Sequence, residues 1–180
     1  MKKFVFLLTL TVFAGTAFAD LASDLDDHFR VYMIKPEKRS QGDRVTVSGD
    51  TATVYYWESL KGRKPEEAIC DAYEWLLLGR TSYGRGAKEA FDKYGSLNQI
   101  NMTFYEIDFS TKKGTRRAEI LPSQNVFEYI SIGVRRDSLN RKNFNRKEVE
   151  QMIADHKCAD VGKAFIDTVS VNENYLKSRK

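Results

Sequence analysis

Leu21, Leu25, Phe29 and Tyr32 recur at spacings of three and four, so residues 21–32 read as a short amphipathic helix. A polar stretch with Pro36 and Gly42 follows as a loop. Arg44 to Ser48 and Thr51 to Trp57 are rich in β-branched and aromatic residues, and Gly49-Asp50 between them suits a two-residue hairpin turn. Pro65-Glu66-Glu67 opens a second helix, with Pro in the first turn and carboxylates at the positive end of the dipole. Ile69, Ala72, Tyr73 and Leu76 form its stripe, Cys70 and Leu77 flank it, and Gly79 stops it. Ala87 to Tyr94 makes a third helix, stopped by Gly95.

The next segment alternates. Ile100 to Phe109, Ala118 to Leu121 and Val126 to Val134 read as three successive antiparallel strands, with Lys112-Lys113-Gly114 as a turn. Asn145 with Glu148 three residues later has capping-box spacing and opens the last helix. Val149, Met152, Ile153 and His156 form its stripe, and Ala159, Phe165, Ile166 and Val169 extend it past a bend near Gly162. The order α-ββ-αα-βββ-α predicts an α+β fold: helices packed on a mostly antiparallel sheet of about five strands.

The first nineteen residues stand apart. Met1-Lys2-Lys3 is positive, Phe4 to Phe13 is apolar, and Ala17-Phe18-Ala19 fits the small-x-small cleavage rule. This predicts a signal peptide over residues 1–19, a single domain over 20–180, and a periplasmic or secreted protein of a Gram-negative cell. After cleavage no transmembrane segment is expected. Losing Lys2 and Lys3 lowers the 29 basic residues to 27 against 25 acidic ones, so the formal +4 falls to about +2. A mild excess of this kind, with no aromatic ladder between the charges, argues against nucleic acid. Two cysteines, Cys70 and Cys158, lie 88 positions apart. In an oxidising compartment an even number predicts a disulfide. Neither cysteine sits in CxxC or at zinc spacing to a histidine, so no metal or cofactor is expected.

Candidate chemistry is sparse. His28 and His156 are the two histidines. Both fall on apolar stripes, which favours partly buried structural roles over an acid/base pair of ribonuclease type. The segment Gly79 to Lys88 superficially resembles a phosphate-binding loop, but Gly84 is followed by Arg85 rather than Lys-Ser/Thr. Its glycines, its position before a helix and its cations still make Arg80, Ser82, Gly84, Arg85, Gly86 and Lys88 a candidate anion site. Arg135, Arg136, Arg141, Lys142, Arg146 and Lys147 follow a strand as a basic surface loop, a candidate face for an anionic envelope component or an envelope protein. Tyr55 and Trp57 share one face of the second strand, and Val54 and Tyr56 the other. Core packing is the favoured reading, with a sugar platform as the alternative. No constellation reaches the specificity of a known catalytic motif. The expectation is therefore a non-catalytic exported binding or accessory module. The alternatives are a small secreted hydrolase, ribonuclease-like or esterase-like, and a periplasmic inhibitor or immunity-type protein.

Overall fold

A computed structural model describes residues 20–29, 45–58, 63–79, 85–107 and 126–178. Helix α1 covers residues 20–29. β1 (Val45–Ser48) and β2 (Thr51–Glu58) form the hairpin, with Gly49 at φ 61° supplying the left-handed turn residue. α2 (Pro65–Leu77) and α3 (Ala87–Lys93) then cross over to β3 (Gln99–Ile107), which pairs in parallel with β2. β4 (Val126–Arg135) returns antiparallel to β3, with an irregularity at Phe104/Tyr105. Three helices follow, α4 (Arg136–Arg141), α5 (Arg146–Ala154) and α6 (Cys158–Phe165). β5 (Thr168–Val171) joins the far edge antiparallel to β4, and α7 (Glu173–Ser178) ends the described chain. The sheet order is β1-β2-β3-β4-β5. The class is α+β, with three of the four strand pairings antiparallel.

One expected element is not described, and the C-terminal region differs from the sequence reading. The expected strand Ala118–Leu121 and the turn before it lie outside the described residues. The long C-terminal helix breaks instead into α5, α6 and β5. The first break is a Schellman motif without glycine. His156 adopts φ 59°, its N–H donates to Ile153 O at 3.0 Å, and the Lys157 N–H donates to Met152 O at 2.8 Å. The second break follows Phe165, where the Asp167 N–H donates to Gly133 O at 2.9 Å and the backbone pairs with β4 instead of continuing a helix. Asn145 caps α5 as its spacing implies, its Oδ1 accepting from the Lys147 and Glu148 N–H groups at 3.0 and 3.4 Å.

The core lies between one sheet face and the helices. Val45, Ala52, Val54, Tyr56, Ile100, Met102, Phe104, Ile130, Ile132 and Val134 share that face and are buried. Tyr56 stacks on Phe104 at 5.4 Å, and Trp75 of α2 lies 5.2 Å from Tyr56 and 5.6 Å from Phe104. The Tyr56 hydroxyl donates to Phe29 O at 2.8 Å and so ties α1 to the sheet. α7 is pinned by Tyr175, whose hydroxyl donates to the fully buried Glu106 at 2.5 Å. α5 and α6 pack on α2 and on each other. Gly162 of α6 allows that approach, since a Cβ there would sit 2.8 Å from the Tyr73 ring.

Candidate functional site

Along α2, Glu67, Asp71 and Glu74 repeat at four and three residues, so their carboxylates fall on one side of the helix. Ile69, Cys70 and Tyr73 border that stripe. α6 lies alongside, and Cys70 and Cys158 are at disulfide distance, with 5.3 Å between their Cα atoms. The bridge ties α2 to the start of α6. Above it opens a groove of about 640 Å³, whose lining joins the acidic stripe and Glu66 to Ile153, His156 and Ala159. The floor is apolar and the α2 rim is acidic.

The rim charges are unevenly neutralised. Asp71 is ion-paired with Arg63. The Glu67 carboxylate accepts from the Lys64 N–H at 3.2 Å, closing the first turn of α2. Glu66 and Glu74 have no cationic partner among the described residues. Burial pushes the Glu74 carboxyl above the usual carboxylate range, and the neighbouring Asp71 charge adds to it. Burial likewise raises the Tyr73 phenol.

The two histidines occupy different surroundings. His28 is buried; its Nε2 lies 3.0 Å from Gly86 O, and its ring meets Phe29 and Tyr94 edge-on. Burial lowers its pKa first, the Gly86 carbonyl opposes that, and the Arg85 and Lys93 charges reinforce it against Glu89. A structural role suits it. His156 corrects the sequence reading: it is exposed at the left-handed position ending α5, on the groove rim, not packed on an apolar stripe. The stripe pattern misled because it continued through a cap that usually advertises itself with glycine.

Of the candidate anion loop, Arg80, Ser82 and Gly84 lie outside the described residues. Of the rest, Gly86 and Lys88 are engaged internally. The Gly86 N–H donates to Glu89 Oε2 at 3.1 Å, so the chain supplies its own carboxylate to α3. Gly86 itself is pressed against the Leu77 carbonyl and Leu78, where no Cβ would fit. Lys88 pairs with Asp92 at 2.6 Å, and Arg85 is exposed.

The basic stretch is not a loop. Arg135 ends β4, Arg136–Arg141 is α4 and Arg146 opens α5, and most of these cations face partners within the fold. The Arg136 guanidinium donates to the carbonyls of Leu97 and Tyr94 at 2.6–2.8 Å and covers the Phe91 ring. Arg146 pairs with Glu89 and Glu150 at 2.9 Å and donates to Leu78 O at 2.8 Å. Lys142 reaches Asp167 at 3.2 Å, and Arg135 and Arg141 both approach Asp137 at 3.3 Å. Of the six, Arg136 and Lys147 show no ion pair among the described residues, and Arg136 is held by carbonyls instead. Asp167 also accepts from the Arg135 N–H and the Ser138 hydroxyl. Burial pushes its carboxyl up, but these bonds outweigh that and leave it below the usual range.

Val54 and Tyr56 point into the core. Tyr55 takes the opposite face, half-buried beside Tyr105 at 6.4 Å, while the Trp57 side chain lies outside the described residues. No cluster of three or more metal-ligating side chains occurs among the described residues, and no described helix is long and apolar enough to cross a membrane. No family model, curated protein or solved structure matches this chain.

The groove was missed in the sequence, although half its signal was there. The spacing of Glu67, Asp71 and Glu74 is visible, but a charged stripe on one side of a helix usually marks its solvated face. The expected Cys70–Cys158 pairing already brings the C-terminal helices beside α2; the depth and lining of the space between them are what no local signal encodes.

Proposed function

We propose that the protein is an exported, non-catalytic binding module that engages a protein partner through the groove between α2 and the α5–α6 turn. The groove above the Cys70–Cys158 bridge carries this reading. It joins an apolar floor to a polar rim, as the centre and edge of a protein interface do. The bridge holds its two walls together, which reduces the ordering cost of association. A disulfide also suits an oxidising compartment, as the apolar leader does.

The internal pairing of Lys88 speaks against an anionic ligand at the loop before α3, and that of Arg136, Lys142 and Arg146 against one at the basic stretch, because each is already held by a carboxylate or a carbonyl. The hydrolase reading asks for a histidine with a nearby carboxylate: His28 is packed against Gly86, and His156 shares the groove with carboxylates but shows no hydrogen bond to one among the described residues. The inhibitor reading shares the groove, and the acidic rim favours it where the target is a basic enzyme.

A photo-crosslinking residue at the exposed groove position Ala159, compared with one at the exposed edge position Ser170, tests the reading in the exporting cell. A discrete adduct from position 159 and none from position 170 is expected. Equal adducts from both positions, or none from position 159, refutes it. Mass analysis of the exported protein should also find Asp20 at its N-terminus.

A further inference from the structure

The groove is poorer in positive charge than its own carboxylates require. Four acidic side chains line it, Glu66, Glu67, Asp71 and Glu74, and no Lys or Arg among the described residues does. Arg63 is spent on Asp71, and the Glu67 carboxylate on the Lys64 N–H. Glu66 and Glu74 remain without a cation among the described residues, Glu66 in solvent and Glu74 half-buried. Beneath them Ile69, Tyr73 and Ile153 offer apolar surface at the depth that the stem of a long cationic side chain reaches.

Resting on the groove reading above, we propose that its occupant is a basic segment of a partner protein, in which arginine or lysine alternates with aliphatic residues. The cationic head meets Glu74 and Glu66, while the methylene stem and the neighbouring aliphatic side chain cover Ile69 and Ile153. An arginine head can bond bidentately to a carboxylate, so the pairing fixes orientation as well as sign. An acidic segment would bring like charges into the groove, and a neutral one would bury Glu74 further without a counter-charge. Selection against both follows from the same residues that attract the basic one. The raised Glu74 pKa is consistent with this: burial and the Asp71 charge already strain the ionised form, and a nearby cation relieves both.

The test uses the mature, oxidised protein and three capped hexapeptides: Ala-Leu-Arg-Leu-Arg-Ala, the same peptide with Gln at both Arg positions, and the same with Glu. Amide chemical shifts and titration calorimetry at low salt read the binding. The Arg peptide should bind about tenfold or more tighter than the Gln peptide, weaken as salt rises, and shift the amides of Ile69, Tyr73, Ile153 and Ala159. The double variant Glu66→Gln, Glu74→Gln should bring the Arg peptide down to the Gln peptide's affinity. Those substitutions keep volume and leave the core untouched, and an unchanged melting curve verifies the fold. Equal binding of the Arg and Gln peptides, undiminished binding by the double variant, or shifts confined to other surfaces overturns the proposal. So does failure of all three peptides to bind. In that last case an adduct from position 159 would still uphold the groove as a contact surface, so the charge rule falls separately from the groove reading.

Discussion

Replacing Cys70 or Cys158 by Ser should cost the same whether one or both are changed. The bridge closes a loop of 88 residues. In the chain-entropy description a loop of that length restricts the unfolded chain by about 4–5 kcal/mol, and native bridges in small secreted domains are worth about 2–5 kcal/mol. Both cysteines are only half-buried at the groove floor, so shortening the pair to hydroxyls leaves little cavity, and most of the loss belongs to the unfolded state. At a slope of about 2–4 °C per kcal/mol for a chain of this size, the midpoint should fall on the order of 10 °C. Urea denaturation of C70S, C158S, the double variant and reduced, alkylated wild type should give four curves with one midpoint. Their slopes should be steeper than that of the oxidised protein, because the uncrosslinked chain exposes more surface. Losses that add in the double variant, or a reduced wild type as stable as the oxidised one, would show that each cysteine stabilises by local packing and that the constraint argument fails.

Three other outcomes follow from the geometry. Glu89→Ala removes the Gly86 cap and one partner of Arg146 and should cost about 1–2 kcal/mol, whereas Glu89→Gln keeps an acceptor for Gly86 and should cost less than about 1 kcal/mol, both read by urea denaturation. His28 is held below its ordinary pKa, so the folded state binds fewer protons than the unfolded one. Stability is therefore retained above about pH 6.5 and lost as pH falls through the lowered folded value; melts of wild type against His28→Gln should converge on acidification, and a pH-independent difference refutes the burial argument. Gly162→Ala drives a methyl into the Tyr73 ring and should destabilise by about 1 kcal/mol or more, while Gly95→Ala, with open space around it, should be neutral or slightly stabilising in the same melts.

Local signals carried the hairpin, both ends of α2 and the start of α5. The Gly49 turn, the Pro65 start, the Gly79 stop and the Asn145 cap each depend on residues within one turn of chain, and those contacts exist in the structure. β5 was illegible for the opposite reason. Val169 continues the helical spacing of Phe165 and Ile166, and the segment becomes a strand only because the edge of β4 from Ile130 to Gly133 is there to pair with it. The candidate cations were legible as residues and illegible as a site. Sequence shows that Arg136 and Arg146 are positive, but not that Leu97 O, Leu78 O and Glu89 already hold them. A groove between α2 and the α5–α6 turn depends on contacts some eighty residues apart, which no periodicity encodes.

The strands of the sheet differ in reach. β1 spans only Thr51–Val54 of its neighbour, and β5 only Ile130–Gly133 of its own, whereas β2, β3 and β4 run on together past both. Among the described residues all five strands thus stand side by side only where Thr53–Val54, Asn101–Met102 and Ile132–Gly133 lie, and three remain where Trp57–Glu58, Tyr105–Glu106 and Phe127–Glu128 lie. A sheet tapered in this way loosens from its narrow end. Amide protons there should exchange with deuterated solvent sooner than those of Ala52, Met102 and Ile132, so protection should fall along the length of each central strand as well as from one strand to the next.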